Sequence, residues 1–279
     1  MSNLSELLPT GGGQNAVDFV ATGTLASGQT VALKADGTVE AVTGVAEGVG
    51  TPSVFESAVT DQTASTFDSN SNKIVIAYRD DGNSNFGTAV VGTVSGTSIS
   101  FGTAVAFGSA LNIDFAATFD SNSNKVVIAY KDFGNSGYGT AIVGTVSGTS
   151  ISFGTANILN SGNTIHIAAT FDSSSNKVVI AYKNGGNSNY GEAVVGTVSG
   201  TSISFGTAGV FESAEINRVS VAFDSNVNKV VLAYQDVVNS SYGTAVVCTV
   251  SGTSISFGTA VVFESIASSS ISATFDTTN

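Results

Sequence analysis

The chain has 279 residues, 42% of them hydrophobic and 11% charged, with a net charge of −12. That length can bury a sizeable core, and the nine basic residues, dispersed along the chain, exclude a basic stripe for nucleic acid or an anionic membrane. Gly, Ser, Thr, Asn, Val and Ala dominate, and no 18-residue apolar stretch exists, so an all-β chain without a spanning helix is expected.

In chain order, residues 1–24 read as an N-terminal extension and anchor. Met1-Ser2-Asn3-Leu4-Ser5-Glu6 has no basic or long apolar region, so no signal peptide is expected and synthesis is cytoplasmic. Val17–Ala21 is either another strand or part of the anchor. Gln29–Lys34 is expected as a blade's second strand, turned by Ala35-Asp36-Gly37 into a third strand and its turn from Thr38 to Gly44. Val49–Ser57 falls in register with Phe257–Ser265, four periods later.

The period is 52 residues. Phe67-Asp68, Phe119-Asp120, Phe171-Asp172, Phe223-Asp224 and Phe275-Asp276 mark it, as do Lys73, Lys125, Lys177, Lys229 and Tyr78, Tyr130, Tyr182, Tyr234. Within one copy, Ala116–Phe119 is a strand of small residues and Asp120–Asn124 an Asx-rich turn. Lys125–Tyr130 is apolar at both parities and should be covered on both faces. Phe133–Gly137 is a loop, Gly139–Val146 a third strand, Ser147-Gly148 a tight turn and Thr149–Phe153 an alternating outer strand.

Four antiparallel strands in that order describe a β-propeller blade. A linear solenoid and a string of hairpins fit less well: solenoid coils are shorter, and separate hairpins leave the doubly apolar strands bare. Ser270–Asp276 reads as a fifth inner strand. Together with residues 25–57 it would make a composite blade, closing a five-bladed propeller over residues 25–279. A fragment of a longer array is the alternative.

Aligned on Phe-Asp, the most variable column reads Gln62, Asp114, His166, Arg218 and Ser270. It is either a ring of binding residues at the mouth of the axis or drift on exposed loops. A second column, Phe86, Tyr138, Tyr190 and Tyr242, either stacks on a sugar or packs between blades. His166 is the only histidine and Cys248 the only cysteine. A zinc site or a Ser-His-Asp triad would therefore rest on His166 alone, and Cys248 is expected to be buried. Asp68-x-Asn70-x-Asn72 resembles the start of a calcium loop but lacks its glycine and closing glutamate. No catalytic residue, metal or cofactor is expected.

The opening residues, Met1 to Phe19, resemble the start of virion structural proteins of tailed marine cyanophages. Gly28–Val39 and the repeated Gly-Thr-Ala-Val-Val-Gly-Thr-Val-Ser-Gly-Thr-Ser-Ile-Ser-Phe segment are similar to parts of such proteins. The resemblance implies a virion or tail-associated protein, with other virion proteins and host polysaccharide as partners. A homo-oligomer on the particle is expected, with no nucleic acid and no membrane. By architecture a soluble multivalent lectin is the alternative. A five-bladed glycosidase is the more remote one, since it needs facing carboxylates and only Asp61 and Asp114, in different columns, are near the mouth.

Overall fold

The computed structural model describes residues 20–25, 31–41 and 50–276. The expected N-terminal anchor, most of the Val17–Ala21 segment and the expected third-strand end at Val42–Gly44 lie outside the described residues. The chain forms two compact units, residues 1–50 and 51–279.

In the first unit, β1 (Val31–Leu33) and β2 (Val39–Ala41) form the expected hairpin, in register Val31 with Ala41 and Leu33 with Val39. Asp36 closes the turn by accepting from the Thr38 N–H at 3.0 Å and hydroxyl at 2.6 Å.

The second unit is all-β and antiparallel. Its first repeat contains β3 (Thr60–Asp68), β4 (Lys73–Asp80), β5 (Phe86–Ser95) and β6 (Ser98–Phe101). The second contains β7 (Val105–Asp120), β8 (Lys125–Asp132), β9 (Tyr138–Ser147) and β10 (Ser150–Phe153). The third contains β11 (Asn157–Asp172), β12 (Lys177–Asn184), β13 (Tyr190–Ser199) and β14 (Ser202–Phe205). The fourth contains β15 (Gly209–Asp224), β16 (Lys229–Asp236), β17 (Tyr242–Ser251) and β18 (Ser254–Phe257), and β19 (Val261–Ala267) follows.

Each repeat pairs inner strand with second strand, second with third, and third with the outer hairpin strand. The expected strand order is therefore present four times. One expectation is corrected. The segments before the inner strands are not loops: β7, β11 and β15 each run 16 residues, first along the third strand of one repeat, then along the second strand of the next. A single strand can serve both sheets because it bends at a bulge rather than breaking.

The inner turns have a simple cause. Asp68 Oδ1 accepts from the N–H groups of Asn70 at 2.9 Å and Ser71 at 3.0 Å, and Asp120, Asp172 and Asp224 repeat the pattern. These carboxylates are committed to the backbone, which accounts for the calcium-like spacing without a cation.

Successive repeats pack face to face. Val75, Ala77, Ala89 and Val91 of the first repeat lie against Val126, Ile128, Tyr130 and Ile142 of the second. Val127, Ala129, Ala141 and Val143 lie against Val178, Ile180, Tyr182 and Val194 of the third, and Val179, Ala181 and Ala193 against Val230, Leu232, Tyr234 and Val246 of the fourth. Each fully buried Val or Ile side chain contributes about 1.5–3 kcal/mol, so these interfaces are the core. Cys248 is buried as expected, and burial pushes its thiol up to about 12.

The outer faces of the series differ. Val91, Val143 and Val195 are each 0% exposed, but their fourth-repeat counterpart Val247 is 50% exposed; Phe211 is 8% exposed and Phe263 57%. Ser270–Asp276, expected as a fifth inner strand, carries no strand ladder. Its backbone turns to a side chain instead: the Ala273 N–H donates to the Ser220 hydroxyl at 3.0 Å.

Candidate functional site

The variable column sits on a repeated structural irregularity. In each inner strand two residues oppose one tyrosine of the second strand. Gln62-Thr63 faces Tyr78, Asp114-Phe115 faces Tyr130, His166-Ile167 faces Tyr182 and Arg218-Val219 faces Tyr234. The first residue of each bulge is left-handed, with φ of 52° at Gln62, 55° at Asp114, 52° at His166 and 55° at Arg218. None is glycine. Non-glycine residues pay for this conformation, and it persists where the surroundings impose it.

The bulges hand hydrogen bonds from repeat to repeat. Gln62 Oε1 accepts from the Asp114 N–H at 2.5 Å, and the Asp114 carboxylate accepts from the His166 N–H. The His166 ring donates to Asn217, beside Arg218. Inner strands of successive repeats lie next to one another, which makes this relay geometrically available. The column is thus assembled into a connected polar arc. Ser270 is exposed and lines a concavity of about 310 Å³ with Phe263, Glu264, Ser268, Ile271 and Ser272.

Burial sets the electrostatics of the arc. It raises the Asp114 carboxyl above its ordinary range, against the opposing pull of His166 and Lys131. It lowers His166 below its ordinary value; Asp114 works against that, and Arg218 and Lys183 reinforce it.

A third column, not anticipated from the sequence, stands one strand behind. Arg79, Lys131, Lys183 and Gln235 occupy equivalent positions of the second strands. Lys131 Nζ donates to Asn163 Oδ1 at 2.5 Å and lies 4.8 Å from the centroid of the Phe133 ring. Lys183 Nζ pairs with Glu215 at 2.6 Å and donates to Asn217 Oδ1 at 3.0 Å. Gln235 Nε2 donates to the Ser268 carbonyl. Arg79 is neutralised at home, by Asp81 at 2.7 Å and Asp61 at 3.1 Å. Three of the four therefore tie one repeat to the next. The one sequence signal for this column is a polar residue closing an otherwise apolar strand.

Phe86, Tyr138, Tyr190 and Tyr242 begin the third strands, each half-buried and opposite Asp80, Asp132, Asn184 and Asp236. The structure places them at the same end of the repeats as the arc. The other tyrosine column is structural. Tyr78, Tyr130, Tyr182 and Tyr234 are buried, and burial pushes each hydroxyl above its ordinary range. Phe55 packs on Tyr78 at 5.1 Å, as Phe107 does on Tyr130 and Phe211 on Tyr234. Residues 51–57, expected as an outer strand, form no strand, although Phe55 keeps this ring contact.

A second concavity, of about 390 Å³, lies at the outer edge, lined by Thr155, Asn157, Thr197, Ser199, Ser202, Ile203 and Ser204. Among the described residues, no group of three His, Cys, Asp or Glu side chains could hold a metal ion.

Fold and arc together define an all-β repeat protein with a polar arc at one end of its inner strands. No protein-family model matches the chain, and no curated protein matches it. Among solved structures the chain is similar to AofleA from Arthrobotrys oligospora, with 8% identity and a TM-score of 0.52 over 77% of this chain and 60% of that one. An arginine-to-alanine triple mutant of the same protein aligns over the same shares at 9% identity and a TM-score of 0.52. A mutant of Aleuria aurantia lectin in complex with α-methyl-L-fucoside aligns at 14% identity and a TM-score of 0.46, over 72% of this chain and 61% of that one. The likeness to AofleA is one of fold, and the chain spans about 60% of that protein's length.

Proposed function

We propose that the chain is a non-enzymatic, glycan-binding β-propeller of five blades, carried on a phage particle. The observation that carries the binding reading is the arc itself. Four non-glycine residues hold a costly backbone conformation at one position, and their side chains differ in every repeat. Strain kept at equivalent positions while chemistry varies fits a ligand site better than it fits packing. Half-buried aromatic rings at the same end suit the apolar face of a sugar.

The fifth blade is supported by three features. The bare apolar face around Val247 matches faces that are covered in the other repeats. Residues 51–57 keep outer-strand contacts, with the Tyr78 hydroxyl donating to Glu56 Oε2 at 3.4 Å as Tyr234 does to Glu212 at 3.1 Å. The Ser268 N–H donates to the Ser241 carbonyl at 2.9 Å, as Ile216 does to Asn189 one period earlier. The virion setting, with other virion proteins and host polysaccharide as partners, rests on the resemblances of Met1–Phe19, Gly28–Val39 and the repeated Gly-Thr-Ala segment.

A glycan array tests the binding reading: binding to at least one oligosaccharide is expected, and silence on every sugar overturns it. Deleting residues 1–15 should release the protein from particles while the repeats stay folded; retention on the particle refutes the anchor. A second reading, a soluble lectin with several sites per chain, draws on the hydroxyl-lined concavity at Thr197. Titration calorimetry separates the two, since the axial arc gives one ligand per chain.

A further inference from the structure

The charge around the mouth is uneven. In the first repeat Arg79 is paired with Asp61 and Asp81. In the later repeats the cations outnumber their partners. Lys183 is paired with Glu215, but Lys131 is buried with an amide and a ring for company and no carboxylate within ion-pair distance among the described residues. Arg218 is exposed on its bulge and makes no ion pair among the described residues. Asp114, the one acid on the arc, accepts from the His166 N–H, and its charge faces His166 and Lys131. In a chain of net charge −12, Arg218 is thus an exposed cation with no ion pair among the described residues.

We propose that Arg218, with His166 beside it on the arc, binds the carboxylate of an acidic sugar. This deepens the glycan reading and rests on it. A guanidinium offers two parallel N–H donors that fit a carboxylate fork, and a flat, weakly hydrated cation gives up water readily. His166 stands beside Arg218 as a neutral ring with room to gain a proton. Lys131 supplies a positive field from behind, at a depth where water screens it poorly. The half-buried aromatic residues Tyr190 and Tyr242 begin the third strands of the same two repeats and offer faces for the sugar ring.

The test uses the full chain and matched pairs of oligosaccharides: oligogalacturonate and its methyl ester, oligomannuronate and its methyl ester, sialyllactose and lactose. Calorimetry measures affinity, and the lone histidine is followed by NMR through a pH titration. At least one acid is expected to bind tenfold or more tightly than its neutral counterpart. Arg218→Gln should erase that preference without changing the fold, and the bound acid should move the His166 midpoint upward. Equal binding of acid and neutral partner overturns the carboxylate site and leaves the glycan reading standing. Absence of binding by any sugar overturns both. Full competition by acetate or inorganic phosphate at the same concentration shows a simple anion site and also overturns the proposal.

Discussion

At the residue scale, His166 reports on the whole arc. Its ring is held below the ordinary value of 6.5, chiefly by burial. The unfolded chain therefore takes up this proton first as pH falls, so the stability contribution of neutral His166 is present above 6.5 and is lost as pH drops below it. NMR titration should place the midpoint below 6.5. Asp114→Asn should lower it further, because the nearby negative charge is removed, and Arg218→Gln should raise it. A midpoint unmoved by both changes would mean that the three side chains do not share a site. Glu192 is a second case. It replaces the threonine of the other repeats and accepts from the Tyr182 hydroxyl at 3.2 Å, Asn184 at 2.9 Å and Asn187 at 2.7 Å. For Tyr78 and Tyr234 the partner is instead Glu56 and Glu212, whose third-repeat position holds Asn160. Glu192→Thr should cost about 2–3 kcal/mol by stranding buried donors. Adding Asn160→Glu should recover at least half of it in urea unfolding.

At the element scale, the 52-residue period makes the second, third and outer strands legible, because alternation and Ser-Gly turns speak directly of strand pairing. The bulges are not legible. A left-handed residue inside a strand is usually announced by glycine, and here Gln62, Asp114, His166 and Arg218 stand instead, so their segments read as variable loops. Variability marks the column in the sequence, while its conformation leaves no mark there. Arg218 makes no hydrogen bond that fixes its side chain among the described residues, so backbone strain can be tested there in isolation. Arg218→Gly should raise stability by about 0.5–1 kcal/mol. Arg218→Val should lower it by about 1–3 kcal/mol, as a β-branched side chain tolerates this φ poorly. Equal effects of the two in thermal melts would argue against strain. Contacts between repeats carry a comparable signature. A side chain on Gly154 would run into the Thr201 carbonyl of the next repeat, and Gly102 and Gly206 have the same relation to Thr149 and Thr253. Gly154→Ala should therefore be destabilising, and unchanged melting would contradict the observed packing.

At the scale of the whole molecule, the open question is what lies against the fourth repeat. The pattern of apolar faces is directional: the face bearing Val91, Val143 or Val195 always meets the face bearing the next repeat's tyrosine. A fifth blade built from both ends would complete that pattern, and the register of Val49–Ser57 with Phe257–Ser265 makes it readable in the amino-acid sequence. Its inner strand is the less legible part, since Ser270–Asp276 has the right residues but forms no ladder with a following strand. Periodicity describes what each segment could pair with, while pairing itself needs both partners in place. Closure has a direct consequence at Val247, which is 50% exposed while Val195 is fully buried. A buried aspartate without a partner costs about 3 kcal/mol or more, whereas an exposed one costs little. The decisive measurement is therefore the unfolding free energy of Val247→Asp beside that of Val195→Asp. A closed ring makes the two comparably damaging. If Val247→Asp stays within about 0.5 kcal/mol of the unaltered chain while Val195→Asp unfolds it, no fifth blade covers that face and the series is open.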